Sequence, residues 1–342
     1  MKLIRTEDAV GHVLCHDMTQ IIVGKTKDAR FRKGHIVQKE DIPVLLSMGK
    51  ENLYVWEKQE GMLHENEAAE ILCQATKNRY MERSEVKEGK IELTAMTDGV
   101  LKIDTKRLYE INSLVDIMIA TRPNYSMVHK GDKLAGMRII PLVIDAKKMD
   151  AVSAIATVSD PLLELVPYTI RDCTLIVTGN EVKKGLIKDT FSPVVTAKLK
   201  AFGVQVSKKI LTGDNGPYIT SCIKDAVSEG SQMVLCTGGM SVDPDDRTPK
   251  AIKDSGATVI SYGAPVLPGA MFLVSYLDGV PVLGLPGCVM YAKRTVFDLM
   301  LPRVLAKIPI AASDIAALGN GGLCLQCPVC TFPNCGFGHG GI

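Results

Sequence analysis

The stretch CTGGMSVDPDDRT, residues 236–248, decides the fold because it places two glycines and three aspartates directly after an apolar strand. From about residue 166 onwards, short apolar segments of this kind alternate with segments of helix length. This alternation predicts a parallel sheet with crossover helices. We expect strands at CTLIVT, VQVSKKIL, QMVLC, ATVIS and PVLGL, and helices that begin at Ser192, Pro217 and Thr248.

The strand ends of this predicted sheet carry glycines and carboxylates. Ligands of open α/β sheets bind outside the carboxyl ends of the strands, so these residues are expected to share one edge. Glycine lets the backbone approach a phosphate closely, and carboxylates beside a phosphate require a cation between them. A glycine pair alone is also typical of a tight turn, and a lone loop carboxylate of a solvated surface. Together they predict a phosphorylated ligand held with a divalent metal. The residues at the strand ends are Gly179, Asn180, Glu181, Gly185 and Asp189, then Asp214, then Gly238, Gly239, Ser241, Asp243, Asp245 and Asp246, and finally Pro286 and Gly287.

The rest of the chain divides into smaller segments. Residues 1–60 predict a small β-rich module, and residues 61–165 predict a linking helix followed by a second β-rich module. Within the second module, GKIELTAMTDGVLKID (89–104) alternates on both sides of Thr97–Asp98–Gly99 and predicts a hairpin. The α/β domain is expected over residues 166–306, and residues 307–342 form a cysteine-rich tail.

Composition excludes several classes of partner. The 40 basic and 38 acidic side chains give a net charge of only +2, which provides no electrostatic footprint for nucleic acid or an anionic membrane. The N-terminus lacks an apolar signal core. Residues 255–277 are uncharged, but glycines and prolines interrupt them, so no membrane span is expected. The sequence predicts a cytoplasmic protein that binds neither nucleic acid nor membrane.

The tail LCLQCPVCTFPNCGFGHG, residues 323–340, has the thiol spacing C-x2-C-x2-C-x4-C. Its four cysteines could hold an iron-sulfur cluster, or three of them with a histidine could hold Zn²⁺. An unligated, redox-active tail is the alternative. The low apolar content predicts that only a ligand or partner orders this segment. The candidate ligands are Cys324, Cys327, Cys330, Cys335 and His339.

Six short sequence motifs resemble, in the same order, those of the molybdopterin-binding domain family shared by molybdopterin molybdenumtransferases, gephyrin and competence-damage-inducible proteins. The resemblance covers about residues 171–303. It implies a three-layer α/β/α domain that binds molybdopterin and, in the molybdenumtransferases, exchanges a nucleotide for molybdate with Mg²⁺. It also implies a homo-oligomer and a partner that makes or receives the cofactor. The motifs are TGNEV (178–182), GLIKDT (185–190), TGDN (212–215), TGGMSVDPDDRT (237–248), VLPG (266–269) and GLPG (284–287).

Carried over residue by residue, the resemblance implies roles for carboxylates and for loop residues. Asp189, Asp214 and Asp246 would be catalytic, and Asp214 and Asp246 would also hold Mg²⁺. The implied cofactor-binding residues are Thr178, Gly179, Glu181, Gly238, Gly239, Ser241, Asp245, Pro286 and Gly287.

The sequence departs from the family pattern at three positions. Phe191 and Cys288 stand where asparagines are usual, and Ala270 stands where a lysine is usual. The word PDDRT is closer to the competence-damage branch, in which some members cleave nucleotide pyrophosphates. The expected function is therefore molybdenum cofactor biosynthesis, with binding of molybdopterin or its adenylylated form and Mg²⁺-dependent molybdate insertion. A metal-dependent nucleotide pyrophosphatase and a non-catalytic molybdopterin binder or sensor are the alternatives.

Overall fold

A computed structural model describes residues 2–22, 26–55, 60–158, 160–241, 243 and 246–340. Two compact units are distinguished: residues 1–96, 103–122 and 132–164 form the first, and residues 97–102, 123–131 and 165–342 form the second. Within the described ranges, we find no helix that combines the length and the apolar character needed to cross a membrane.

The described chain contains helices and strands, often with several strands in succession, and short 3-10 turns at Thr6–Asp8 and Gly287–Met290. The elements up to residue 156 are β1 (Lys2–Arg5), β2 (Met18–Ile22), β3 (Thr26–Phe31), α1 (Asp41–Ser47), β4 (Asn52–Val55), β5 (Met62–His64), α2 (Glu65–Thr76), β6 (Met81–Arg83), β7 (Ile91–Ala95), β8 (Gly99–Ile103), α3 (Thr105–Asn112), β9 (Ile117–Thr121), β10 (Ser126–Val128), β11 (Lys133–Ile139), β12 (Val143–Asp145) and α4 (Ala146–Ala156). Those that follow are β13 (Leu163–Pro167), β14 (Asp172–Thr178), α5 (Asn180–Lys183), α6 (Phe191–Lys200), β15 (Gln205–Thr212), α7 (Gly216–Ser228), β16 (Val234–Thr237), α8 (Thr248–Asp254), β17 (Thr258–Tyr262), β18 (Leu273–Leu277), β19 (Val280–Leu285), α9 (Val296–Leu305) and α10 (Ala312–Ala317).

The first unit is built from small antiparallel sheets. Its strands pair as β1 with β4, β2 with β3, β5 with β12, and in the order β6-β7-β11-β9. Helix α2 lies in the segment where the linking helix is predicted, and it begins with a capping box between His64 and Glu67. Ala68 and Leu72 of this helix are fully buried, as their helical spacing predicts.

The hairpin predicted around Thr97–Asp98–Gly99 is wrong. Strand β7 pairs with β6 and β11, whereas β8 lies in a different sheet between β10 and β13. A Cβ on Gly99 would lie 2.4 Å from the Val166 carbonyl oxygen. Gly99 is therefore required for the close approach of β8 to β13. The residues around Gly99 resemble a turn, which is why the sequence predicted that β7 and β8 pair with each other.

The second unit contains a six-stranded sheet in the order β15-β14-β16-β19-β18-β17. Strands β14, β15, β16 and β19 are parallel, as predicted. Strand β18 runs antiparallel to both of its neighbours, which makes the sheet mixed. The apolar segment 273–277 supplies this extra strand, so the uncharged stretch 255–277 contributes two sheet strands.

The sheet separates two apolar cores. Because side chains alternate along a strand, Leu175 and Val177 of β14 face the core formed with α6 and α9. Ile176 faces the opposite core, formed with α7 and α8. This arrangement confirms the predicted three-layer α/β/α domain.

The C-terminal tail packs on the second unit, contrary to the expectation that a ligand or partner must order it. Ile315 and Phe337 are buried in the core that contains α6 and α9. The backbone N–H of Leu267 donates to the Gly322 carbonyl at 2.9 Å, and that of Cys324 donates to the Leu267 carbonyl at 2.8 Å. A few apolar anchors and backbone hydrogen bonds hold the segment despite its lack of a regular apolar period.

Candidate functional site

The four parallel strands β14, β15, β16 and β19 deliver their carboxyl ends to one edge of the sheet. The loops that follow Thr178, Thr212, Thr237 and Leu285 therefore begin side by side. These loops contain most of the predicted site residues. The edge is the candidate site of the second unit.

The glycine pair after β16 lies directly against the end of β14. Gly238 and Gly239 both adopt left-handed backbone conformations, with φ of 85° and 53°. A Cβ on Gly238 would lie 2.2 Å from the carbonyl oxygen of Thr178, closer than any side chain could tolerate. Only glycine satisfies both the conformation and the approach, so the residue type is structurally required here.

Threonine hydroxyls support this loop from the protein interior. Thr248 Oγ1 donates to the Gly238 carbonyl oxygen at 2.8 Å, and Thr178 Oγ1 lies 3.2 Å from Thr248 Oγ1. Since Thr248 uses its proton on Gly238, Thr178 is the donor between the two hydroxyls. Thr237 Oγ1 is buried and finds no hydrogen-bond partner among the described residues. A buried polar atom of this kind requires an explanation, and such atoms are often satisfied by a ligand or water.

Asn180 and Asp214 link the loops after β14 and β15. The Asn180 N–H donates to Asp214 Oδ2 at 3.0 Å, and the Asp214 N–H points to Asn180 Oδ1 at 3.4 Å. A Cβ on Gly213 would lie 2.4 Å from Asn180 Oδ1, so any larger residue there would displace the Asn180 side chain. The structure thus gives the predicted carboxylate Asp214 a fixed position and adds Asn180 as its partner.

Asp246 lies near the phenol of Tyr262. The Tyr262 hydroxyl donates to the Met240 carbonyl oxygen at 2.9 Å, which ties the end of β17 to the loop after β16. Burial, and then the nearby Asp246 carboxylate, raise the pKa of Tyr262. The Asp246 N–H donates to the Asp243 carbonyl oxygen at 2.9 Å. Ser241 is exposed beside them. Asp245 lies outside the described residues.

Cationic side chains approach the same loops. A Cβ on Gly216 would lie 3.9 Å from Arg247 Cβ, so Arg247 stands where the loops after β15 and β16 meet. Lys183 lies beside Gly213, with its Cδ 3.4 Å from an added Cβ. Glu181 is exposed, near Gly179. The sequence motifs placed the acidic residues but missed these two cations, because neither follows a strand directly.

Asp189 has structural partners for both carboxylate oxygens. The Ser192 N–H donates to Oδ1 at 2.9 Å, while the Ser192 hydroxyl and Lys209 Nζ donate to Oδ2. Burial alone would raise the pKa of Asp189, but the hydrogen bonds from Ser192 and then Lys209 outweigh it and lower the pKa below its ordinary value of 3.8. Asp189 thus holds the start of α6 and lies against β15.

Replacing Asp189 by alanine is expected to lower the free energy of unfolding by about 1 kcal/mol near neutral pH, because a helix loses its side-chain cap. A carboxylate whose pKa is lower in the folded than in the unfolded protein stabilises the fold at any pH above the unfolded-state pKa. This stabilisation is lost as the pH falls through the folded-state pKa. The difference between wild type and variant should therefore shrink below about pH 3.8. Urea unfolding of both proteins across this range measures it. Asp189→Asn serves as the control. If Asp189→Ala lost the same stability at every pH, the result would contradict the stabilising role assigned to the ionised carboxylate.

The loop after β19 presents a different surface. Pro286 is buried, while Gly287 is exposed and would place an added Cβ in open space. Thr190 Oγ1 lies 3.1 Å from Met290 Sδ, which joins this loop to the segment before α6. Cys288, at the position of the family's asparagine, is half-buried.

The tail cysteines line a cavity of about 820 Å³ against residues 291–294 and the 267–268 loop. Cys327 and Cys330 are exposed, and Cys324 and Cys335 are half-buried. The His339 ring is turned to the Pro333 carbonyl, with Nε2 at 3.2 Å, and its buried Nδ1 finds no partner among the described residues.

The predicted metal ligands do not assemble in this structure. In the part of the chain that the structure describes, no group of three or more His, Cys, Asp or Glu side chains is placed to hold a metal ion. His339 Nδ1 is buried without a partner among the described residues, and no group of cysteines converges on it. The tail residues therefore do not fit either an iron-sulfur cluster or a zinc site as they stand.

The geometry first defines a class of protein: an α/β/α domain with glycine-containing loops at the carboxyl edge of its sheet, the edge where open α/β sheets commonly bind ligands. Residues 174–306 match the family described as "Probable molybdopterin binding domain", a molybdenum cofactor biosynthesis domain family. This match confirms the resemblance of the six motifs for this segment. Residues 3–57 match a domain of unknown function, DUF8806.

Individual relatives share the same segment. A molybdopterin molybdenumtransferase of Staphylococcus epidermidis is 31% identical over 113 residues, which are 33% of this chain and 27% of that protein. A CinA-like protein of Myxococcus xanthus is 34% identical over 93 residues, which are 27% of this chain and 22% of that protein. The chain thus matches about a quarter of the length of these curated relatives. The solved structure of the molybdopterin biosynthesis enzyme MoaB from Thermus thermophilus is similar with a TM-score of 0.35 and 19% identity, over 41% of this chain and 99% of that one.

Proposed function

We propose that the α/β domain binds molybdopterin or its adenylylated form at the carboxyl edge of its sheet and assists Mg²⁺-dependent insertion of molybdate. The observation that carries this proposal is the loop after β16. The Gly238 carbonyl accepts from the Thr248 hydroxyl, which in turn is bonded to the Thr178 hydroxyl. Gly238 combines a φ of 85° with a 2.2 Å approach of an added Cβ to the Thr178 carbonyl oxygen, and only glycine satisfies both. Such a loop lets backbone approach a ligand without side-chain obstruction.

The charge pattern supports a phosphorylated ligand. Arg247 and Lys183 lie beside the loops that hold the acidic residues. A guanidinium presents planar N–H donors that suit phosphate oxygens. Arg247 would therefore supply the positive charge for a phosphorylated ligand at this edge.

We infer that two carboxylates of this edge share a cation. Mg²⁺ is commonly bound by one or two carboxylates together with substrate phosphates and water, so it does not require three protein ligands. Asp214 and Asp246 would supply the carboxylates, with Asp214 held in place by the Asn180 N–H. A cation held there would neutralise charge on the ligand phosphate. Asn180 and Tyr262 act as positioning residues, because each fixes a loop that carries one of these carboxylates.

The decisive experiment follows AMP release from adenylylated molybdopterin with Mg²⁺, in the presence and absence of molybdate. We expect release that depends on molybdate, since insertion consumes it. A parallel reaction with ADP-ribose tests the alternative of a nucleotide pyrophosphatase, which would cleave without molybdate. AMP release from ADP-ribose but not from adenylylated molybdopterin would overturn the proposal. Tight pterin binding without any product would assign the protein as a binder or sensor.

A further inference from the structure

A buried histidine joins two parts of the first unit. His64, which caps the start of α2, is only 2% exposed. Its Nε2 lies 2.7 Å from the carbonyl oxygen of Cys15, just before β2, and its Nδ1 lies 3.0 Å from Nζ of Lys33, just after β3. The Asn66 N–H approaches the same Nδ1 at 3.2 Å. One imidazole ring therefore connects the paired strands β2 and β3 to the N-terminus of α2.

These contacts fix the charge and the tautomer of His64. A carbonyl oxygen only accepts hydrogen bonds, so Nε2 carries the proton and donates to Cys15. An ammonium group and a backbone N–H only donate, so Nδ1 offers its lone pair to Lys33 and Asn66. The ring is thus neutral in this arrangement. A second proton, on Nδ1, would remove the acceptor and place an imidazolium 3.0 Å from the Lys33 ammonium.

The carboxylates near this ring are engaged with other partners. Glu67 Oε2 accepts the backbone N–H of His64 at 2.8 Å, and Glu65 Oε2 lies 3.6 Å from Arg138 Nη2. Lys33, by contrast, bonds to the ring itself. The titratable and charged groups around His64 and its neighbours are Cys15, His16 and Asp17 before β2, Lys33 after β3, Glu65 and Glu67 on α2, Glu88 before β7, Arg138 on β11, and Asp145 on the adjacent strand β12, whose carboxylate caps α4.

The surroundings disfavour a charged imidazole. Burial is the largest influence and lowers the pKa of His64 below its ordinary value of 6.5; the Cys15 carbonyl and Glu67 oppose this, while Lys33 and His16 add to it. A base whose pKa is lower in the folded than in the unfolded state stabilises the fold above the unfolded-state pKa. The stabilisation from His64 is therefore present above about pH 6.5 and is lost as the pH falls through the folded-state pKa.

Two neighbouring groups titrate with opposite consequences. Burial lowers the pKa of His16, so His16 acts in the same direction as His64. Burial raises the pKa of Glu65, so this carboxyl group stabilises the fold at low pH and opposes His64. A variant of His16 is therefore needed to assign an acid-sensitive change to His64.

We propose that His64 is a pH-sensitive latch, whose neutral ring holds strands β2 and β3 on α2 and whose protonation releases them. The proton comes from solvent and binds Nδ1, which ends the hydrogen bonds from Lys33 and Asn66. Repulsion between the two cations then separates Lys33 from α2. All of these residues belong to the first unit, so the latch is independent of the proposed pterin chemistry.

Amide hydrogen exchange of the full chain, corrected for the intrinsic effect of pH, measures the release. The reporters are the N–H groups of Leu14, Cys15 and Lys33, which are bonded to the His35 carbonyl, the Tyr54 carbonyl and Asp17 Oδ1. From pH 7.5 to pH 5.5 we expect their protection to fall by at least about threefold and at most about tenfold, because one group shifts an equilibrium by no more than tenfold per pH unit. Amides of the paired strands β7 and β11 are the internal reference and should change by less than about twofold.

Histidine variants assign the change to one ring. His64→Gln cannot gain a charge, so the protection of the three reporters should no longer depend on pH in this range. His12→Gln is the matched control, because His12 is an exposed histidine of the same unit, and it should behave as wild type. His16→Gln should retain a fall of at least about threefold.

Nitrogen NMR of the imidazole rings decides even where His64→Gln does not fold. At pH 7.5 the wild-type His64 proton should reside on Nε2, and its pKa should lie below 6.5. Lys33→Met should raise this pKa, because a positive charge and a donor to Nδ1 are removed, whereas Lys33→Arg should leave it low.

Four results would overturn the latch. They are a neutral ring with its proton on Nδ1, a His64 pKa at or above 6.5, reporter protection that is unchanged between pH 7.5 and pH 5.5 in the wild type, and an equal fall of protection in wild type and His64→Gln.

Discussion

Gly238→Ala is expected to abolish pterin binding and to lower the free energy of unfolding by roughly 2–4 kcal/mol. The added methyl group would lie 2.2 Å from the Thr178 carbonyl oxygen, and the backbone would be held at a φ of 85°. The loop must then move away from β14, which also breaks the hydrogen bond from Thr248 to the Gly238 carbonyl. Denaturant unfolding measures the stability, and equilibrium dialysis with molybdopterin measures the binding.

Two other glycines separate the causes of this effect. Gly185 has a φ of 70° but open space around an added Cβ, so Gly185→Ala reports backbone strain alone, about 1 kcal/mol. Gly287 has neither a left-handed φ nor a neighbour within 4 Å, so Gly287→Ala should change the stability by no more than about 0.5 kcal/mol. A Gly238→Ala protein that is as stable as Gly185→Ala and binds the pterin normally would refute the role of this loop.

The domain architecture could be predicted because its determinants are local. Apolar runs identify strands, and Pro217 and Thr248 mark the starts of helices. Each element can therefore be predicted from the residues of its own segment. The motif TGGMSVDPDDRT likewise carries its own glycines. By contrast, the partner of β8 depends on the approach of a strand more than sixty residues away, at Val166, which no local pattern encodes.

The site could be predicted only in outline for the same reason. The sequence could assign the residues that directly follow strands to one edge of the sheet, because all parallel strands end at the same edge. The contacts of Arg247 and Tyr262 join different loops, as Tyr262 does with the Met240 carbonyl, and the bond between Asn180 and Asp214 likewise joins two loops, so no local pattern shows these contacts. In the tail, Phe337 is buried by neighbours in the fold and has no periodic apolar partners in sequence.

Asp246→Ala is expected to lower molybdate-dependent AMP release by a hundredfold or more, on the order of 3 kcal/mol of transition-state stabilisation, while leaving the fold intact. The carboxylate is half-buried at the edge, and its charge contributes to the raised pKa of Tyr262. Its loss should therefore also lower the Tyr262 pKa, which ultraviolet difference titration detects without any turnover. Wild-type release at the same Mg²⁺ concentration would remove Asp246 from the proposed mechanism.

The matched pair Asp214→Asn and Asp214→Ala separates charge from position at the second carboxylate. Asparagine keeps an oxygen for the Asn180 N–H, now 3.0 Å from Asp214 Oδ2, so Asp214→Asn should retain stability but lose Mg²⁺-dependent turnover. Alanine also removes the link between the loops after β14 and β15 and should cost about 1–2 kcal/mol in unfolding. If both variants lost stability equally and neither changed the Mg²⁺ dependence, Asp214 would be a structural residue, and the cation would have to be held by the phosphate and Asp246.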